Sequence, residues 1–410
     1  MMTDRFESAK KIITVLKNAD CEAFFVGGCV RDMIMGLPIG DIDIATNASP
    51  VLISTLFPDT IAIGAAFGII VVKQDGVLFE VATFRSDGNY SDGRHPDRVV
   101  FSSMKEDALR RDFTINGLFY DPFADKIFDY VDGIKDIERG IIRAIGHPRV
   151  RFTEDKLRIL RAARFSSRLG FSIEPSTRKA ILKEVDTLTV SVSPERIWQE
   201  LKKIAAFPNL YQAVALLEEL KILQTVFPEL RSLPLTSVKR AMKCLERLTT
   251  PLPSILYYLP LFTGLSTIEK KNIFLRLKVS SKELELIEEW DEAFQEFSKK
   301  NINRVFWAHF FASSKAELFL PLYGALLPQE DSRKDFMSKT SRLKQELYPF
   351  TMRIKTKRPV VAAADLIAKG VAPGRLLGDL LKEAETLSIE KNNQNKEEIL
   401  HLLKSHGFWK

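Results

Sequence analysis

The sequence predicts an α+β protein, with a small α/β head followed by a long all-helical remainder. Three observations predict it. Strand-like runs and hairpin signals are confined to about the first 150 of 410 residues. From about residue 149 onward helical periodicity dominates. The length exceeds one ordinary domain, so several units are expected. Hydrophobic content of 45% and charged content of 28% place the chain among globular rather than disordered proteins. The first twenty residues mix acids, bases and apolar groups, unlike a signal peptide. No apolar run approaches the roughly 18 to 20 residues that span a membrane. Three cysteines (Cys21, Cys29, Cys244) are odd in number and lack metal-site spacing, and the five histidines form no local cluster. A cytoplasmic enzyme or RNA binder is expected.

The elements follow in order. An amphipathic helix spans Phe6 to Asn18, then the β-rich run Ala23 to Gly28. A helix begins after the glycines and ends near Gly36, and Asp41 to Thr46 (DIDIAT) reads as a strand. The runs IIVV and VLFEVATF flank Gln74-Asp75-Gly76, a hairpin turn. Ser86 to Arg98 is polar and turn-rich, and reads as a mobile surface loop. A helix over Glu106 to Tyr120 and a strand near Lys126 to Tyr130 complete the head. Helices are then expected over Glu154 to Leu169, Ser176 to Asp186 and Pro194 to Ala206, with Pro175, Pro194 and Pro208 as starts or breaks.

The formal charge of +7 is uneven. Residues 149–205 hold 13 Lys/Arg against 7 Asp/Glu, and residues 332–358 hold 9 against 2. Either run alone reads as a solvated helical face. Two separate basic segments suit an extended phosphate backbone better than one small anion.

The densest local signal is GGCVRDMIMGLPIGDIDIAT, Gly27 to Thr46. A Gly27-Gly28 turn lets backbone approach a ligand closely, and the helix start behind it favours phosphate. Arg31 on the first turn can add charge-assisted hydrogen bonds to a phosphate oxygen. On a strand, Asp41 and Asp43 point to one face with Cα atoms about 6.5 to 7 Å apart. Two such carboxylates suit Mg²⁺ held jointly with a nucleoside triphosphate. Two ions roughly 3.5 to 4 Å apart would activate a 3′-hydroxyl and stabilise departing pyrophosphate. Alone, Gly-Gly is a turn and Asp-x-Asp a strand edge; together they favour function. Glu154, Asp155 and Arg158 fall within one helical turn and can match a base's Watson–Crick edge, with Arg161, Arg164 and Arg168 extending a basic stripe. Otherwise the helix is a solvated one with salt bridges. Glu80 is either a third carboxylate or a solvent-facing strand residue.

GGCVRD…GDIDIAT resembles the first signature of the class II tRNA nucleotidyltransferase and bacterial poly(A) polymerase family, a branch of the polymerase-β-like nucleotidyltransferases. RRDFTINGL (Arg110 to Leu118), FDYVDGIKDI (Phe128 to Ile137), EDKLRILRAARF (Glu154 to Phe165) and SPERIWQELKKI (Ser193 to Ile204) are similar to the later signatures, in order. The resemblance implies a polymerase-β-like head with a small mixed sheet (1–148), then an all-α neck (149–205), body (206–290) and tail (291–410). It implies catalytic, Mg²⁺-holding Asp41 and Asp43. Nucleotide contacts would come from Gly28, Arg31, Arg111, Asp112, Asn116, Glu154, Asp155, Arg158, Arg161 and Arg164. Asp155 and Arg158 would read cytosine or adenine, with Glu154 orienting Arg158. Gly117 stands where the family usually has alanine and Lys156 where it usually has proline, small changes that bear on helix rigidity.

The implied reaction is addition of CCA to the 3′ end of tRNA from CTP and ATP. The PIGDIDIAT wording, the intact loop from Ser86 to Arg98 and the chain length favour it. The basic run from Arg333 to Arg358 is expected to touch the tRNA backbone. A poly(A) polymerase, a CC- or A-specialised enzyme and a catalytically silent RNA-binding protein are the alternatives. No protein partner and no membrane are implied. An appended phosphohydrolase is not supported, since no adjacent His-Asp pair exists in the sequence.

Overall fold

The computed structural model describes residues 2–64, 68–87, 99–206, 210–248 and 251–407. Residues 88–98, most of the anticipated loop, and Pro208 lie outside the described residues. The chain forms two compact units: residues 1–234 with 276–278, and residues 235–275 with 279–410.

The first unit is built on a mixed seven-stranded sheet. Its strands are β1 (Ala23–Val26), β2 (Asp43–Thr46), β3 (Thr60–Gly64), β4 (Ile69–Gln74), β5 (Val77–Thr83), and later β8 and β9. A separate hairpin pairs β6 (Arg85–Asp87) with β7 (Val99–Phe101). β8 is Leu118–Asp121 and β9 is Lys126–Asp129, giving the order β3-β4-β5-β2-β1-β8-β9. Only β2 and β5 run parallel; the other neighbours are antiparallel. β1 is buried throughout. Helix α1 (Met2–Asn18) covers one face, where Ile12, Ile13 and Leu16 are fully buried. On the other face Phe24, Val26, Ala45, Phe84 and Phe119 pack beneath Met104 and Ala108. Burying that apolar surface, at about 25 cal/mol per Å², supplies the stability that fixes the strand ends.

Helices α2 (Gly28–Ile34), α3 (Pro50–Leu56), α4 (Met104–Leu109) and α5 (Gly133–Arg139) belong to the head. Beyond it lie α6 (Pro148–Glu154), α7 (Leu157–Leu169), α8 (Pro175–Glu184), α9 (Leu188–Ser191) and α10 (Pro194–Ala205). Strand β10 (Ile141–Ile142) pairs with β11 (Ser172–Ile173), tying the two regions.

Three expectations need correction. The helix expected over Glu106 to Tyr120 is only α4, capped by Ser103 with Glu106 in a reciprocal box. Phe113 is extended and bridges to Ala144, a 3₁₀ turn covers Thr114–Asn116, and the β-prone LFY run joins the sheet as β8. The strand expected from Asp41 starts at Asp43. The helix expected from Glu154 breaks at Asp155, which is extended at φ −147°.

The second unit is all helical among its described residues, from Leu235–Leu245 to Lys396–Ser405. Phe297 packs against Trp307, Phe310, Tyr323 and Phe336 at its centre. Val361, Leu366, Leu380, Leu387, Ile399 and Leu403 form a second core near its end. No helix among the described residues is long and apolar enough to cross a membrane.

Candidate active site

Strand register assembles the site. Val26 pairs with Asp43, so Gly27 turns where Asp43 begins. Ile44 pairs with Val81 in parallel, which stands Asp43 beside Glu80 on one face. Gly27 adopts φ +77° and ψ −128°, a conformation that strains any residue with a Cβ. Its amide donates to the Leu118 carbonyl at 3.1 Å, bringing the RRDFTINGL segment alongside.

A cleft of about 590 Å³ opens here, lined by Gly27, Gly28, Asp41, Asp43, Arg110, Arg111, Asp112, Asn116, Asp155, Arg158, Arg161, Arg164, Arg168 and Lys203, with Arg31 and Asp32 at its base. Eight cationic side chains face it against five acidic ones. Among the head and α6–α7 residues singled out from sequence, the cleft brings together all but Glu80, beside Asp43 on the sheet, and Glu154, which sits behind Arg158. Asp41 and Asp43 share it with the arginines of α7 although Asp41 precedes the strand.

Most of the arginines are held in place by carboxylates. Arg31 is 1% exposed. Its Nε and Nη2 donate to Asp32 Oδ1 at 2.9 and 2.7 Å, and its Nη1 donates to Asn116 Oδ1 at 2.6 Å. Asn116 Nδ2 donates to Asp112 Oδ1, and Arg161 Nε donates to Asp112 Oδ2 at 2.7 Å. Arg168 Nη2 extends this chain of bonds by donating to Asp32 Oδ2 at 2.9 Å. Arg31 therefore spends these three bonds inside the protein. Arg111 donates to Asp107, and Arg164 to the buried Glu200 at 2.6 Å. Such charge-assisted bonds fix side chains before a ligand arrives.

At the other end, Arg158 Nη1 donates to Glu154 Oε2 at 2.5 Å and its Nη2 to the Arg110 carbonyl at 3.3 Å. Asp155 accepts from both terminal nitrogens of Arg196 at 3.2 and 2.8 Å. It also accepts from the Leu157 amide at 3.0 Å, a side-chain turn just ahead of α7. Its extended backbone is the conformation that a following proline would impose. Here Lys156 follows instead, buried and paired with Glu184.

Sequence reasoning missed Arg5, Asp32, Arg110, Arg196, Glu200 and Lys203. Arg5 Nη2 donates to Asp41 Oδ1 at 3.0 Å across 36 positions, which no local pattern reveals. Asp32 and Arg196 lie inside the motifs GGCVRD and SPERIW, where their charge was the available signal.

The electrostatics separate two acids. Surrounding protein atoms first, then the neighbouring charge of Glu80, push the Asp43 carboxyl up to about 6, with Asp41 adding and Arg111 opposing. Asp112 is buried, which alone would raise it, but Arg161 and the Asn116 amide hold it at about 2. Like charges gathered around Asp43 call for a cation. Among the described residues no group of three or more His, Cys, Asp or Glu can hold a metal. A carboxylate pair completed by phosphate oxygens suits a hard divalent ion such as Mg²⁺.

The chain matches the poly A polymerase head domain family over residues 23–143 and the family described as the probable RNA and SrmB-binding site of polymerase A over residues 170–233. It is 44% identical over 219 residues to a CCA-adding enzyme of Geobacillus thermodenitrificans, covering 53% of this chain and 54% of that one. A CCA-adding enzyme of Pediococcus pentosaceus is 45% identical over 208 residues, covering 50% and 51%. The matched stretch spans about half the length of these curated relatives. The Bacillus stearothermophilus CCA-adding enzyme in complex with CTP superposes with a TM-score of 0.77 at 27% identity, covering 98% of each chain. The Thermotoga maritima CCA-adding enzyme with tRNA shares the fold at a TM-score of 0.68 and 20% identity, covering 97% of this chain and 94% of that one. The glycine turn and the two carboxylates lie within the stretch that matches the poly A polymerase head domain family, and the chain as a whole is similar in fold to CCA-adding enzymes.

Proposed function

We propose that this chain adds CCA to the 3′ end of tRNA from CTP and ATP, releasing pyrophosphate at each step, in the cytoplasm. One observation carries the reading: a single cleft holds both the Asp41–Asp43 pair and the Asp155–Arg158 pair, with arginines between them. Asp41 and Asp43 would hold Mg²⁺. When bound, the ion lowers the pKa of the attacking hydroxyl and neutralises charge on the leaving pyrophosphate. The bond from the RNA 3′-oxygen to the α-phosphorus forms as the bond to the pyrophosphate oxygen breaks. Arg111, Arg161 and Arg164 line the triphosphate's side, and their carboxylate partners keep them from having to reorganise.

The base-reading pair explains a two-letter alphabet. Cytosine and adenine both present an exocyclic amine donor beside a ring-nitrogen acceptor. Asp155 only accepts and Arg158 only donates, so one pair serves both bases. Uracil and guanine reverse that order and leave both protein groups unmatched, a penalty of about 1 to 3 kcal/mol per group. Glu154 orients Arg158. The finer division into head, neck, body and tail belongs to this proposal, as does contact between the tRNA backbone and the basic run from Arg333 to Arg358.

The test is incorporation on tRNA lacking CCA and on unrelated RNA, with each nucleotide supplied alone. Addition of C, C and then A to tRNA only is expected. Long A-tails on any RNA would overturn the reading in favour of a poly(A) polymerase, and arrest after CC or a requirement for pre-added CC would mark a specialist.

A further inference from the structure

The break between α6 and α7 leaves Asp155 at a point where no helix fixes the backbone. Asp155 is extended at φ −147° and ψ 104°, and Lys156 returns to helical values at φ −61° and ψ −22°. From the break, two consecutive side chains run to different helices. Asp155 meets Arg196 on α10 through bonds of 3.2 and 2.8 Å. Lys156 meets Glu184, the last residue of α8. Lys156 is 7% exposed, and its ammonium donates to Glu184 Oε2, while the exposed Arg149 of α6 donates to Oε1 at 3.0 Å. Lysine is almost never buried so fully unless it is paired. Glu184 stands at the negative end of its helix's dipole, so it gains from both cations in turn. Lys156 first, then Arg149, hold its carboxyl below the usual range against the opposing effect of burial.

We propose that Lys156 is a positioning residue for base selection: its buried pair with Glu184 holds the α6–α7 break so that Asp155 faces the incoming base. The role rests on the reading above, in which Asp155 contacts that base. Continued as helix, the segment would re-aim Asp155 and every α7 side chain relative to α6, Arg158 included. Arg196 ties the side chain of Asp155, and Lys156 ties the chain one residue on. Together they exclude the continuous helix. Stability alone does not account for the pair, because apolar residues of similar volume often replace a buried ion pair without loss. The backbone admits a second solution. Lys156 has a φ that proline adopts, at the start of a helix where proline is tolerated. Asp155 already holds the extended conformation that precedes proline.

The experiment compares the full chain with two variants. Lys156→Met keeps an unbranched apolar stem and removes the charge, whereas Lys156→Pro removes the pair but restricts the backbone. Two quantities are read: the ratio of kcat/KM for CTP over UTP on tRNA lacking CCA, and amide hydrogen exchange in peptides covering residues 157–160. Lys156→Met is expected to lower the ratio about tenfold and to speed exchange about tenfold. Lys156→Pro is expected to bring both back to within about threefold of the wild-type chain. A packing role alone would slow CTP and UTP alike and gain nothing from proline. An unchanged ratio in Lys156→Met, or an equal loss in Lys156→Pro, would overturn the proposal. A wild-type chain with no preference for CTP over UTP would overturn the functional reading instead, with faster exchange in Lys156→Met still marking Lys156 as the tether.

Discussion

At the scale of single residues, the site carries opposed charges by design of its neighbours. Asp43 is held near 6 in the folded chain, against about 3.9 for an unperturbed carboxyl. Between those values the folded state binds the extra proton, so Asp43 lowers stability as pH rises through the window, and the deficit is complete above it. Asp43→Asn should therefore raise the melting temperature of the chelator-treated protein at pH 7.5, with no gain near pH 3.5. The same change should cut incorporation at least about a thousandfold while tRNA binding by gel shift persists. Gly117 offers a second test. A Cβ there would meet Val131 Cγ2 at 2.7 Å and Ile145 Cδ1 at 3.2 Å. Gly117→Ala should cost about 1 to 3 kcal/mol in denaturant unfolding, and Val131→Ala should restore part of it. Sequence reading treated Gly117 as a minor departure because Val131 and Ile145 lie 14 and 28 positions away.

At the scale of elements, periodicity found the helices flanking the site but not the breaks that aim them. The apolar pattern runs through Asp155 unbroken, yet the chain is extended there because Asp155 bonds to Arg196, 41 positions on. Likewise the segment 106–120 has helix-compatible spacing, but the pairing of Phe119 with Val26 draws it into the sheet. What was legible was local: the glycine turn, the acid pair and the arginine spacing of α7. Partners chosen by the tertiary fold, such as Arg168 for Asp32 across 136 positions, were not. Glu154, at the end of α6, reaches across the break to Arg158. Glu154→Ala should loosen that guanidinium and reduce discrimination against UTP by about tenfold, measured as the ratio of kcat/KM values, with pyrophosphate chemistry otherwise intact.

At the scale of the whole molecule, charge is the legible quantity, and the structure refines which charges remain available. In the basic run of the second unit, Arg333 donates to the Leu327 and Pro328 carbonyls, and Arg353 to Glu385 and Ser388. Lys339, Arg342, Lys355 and Lys357 are exposed instead. Replacing those four by glutamine should weaken tRNA binding and flatten the slope of log K against log salt by about 0.7 to 0.9 per lost phosphate contact. Incorporation of CTP at saturating tRNA should stay close to wild type.

The chain of bonds from Arg168 through Asp32, Arg31, Asn116 and Asp112 to Arg161, with both ends on α7, has a further bearing. It fastens the base of the cleft at α2 to helix α7, so that under the proposed function neither the phosphate side nor the base-reading side can drift without the other. A misfit at the base end would tilt the groups that cradle the phosphates. Fidelity in such a device need not depend on rejecting the wrong nucleotide outright; it is enough that a poorly seated base leaves its phosphate out of line.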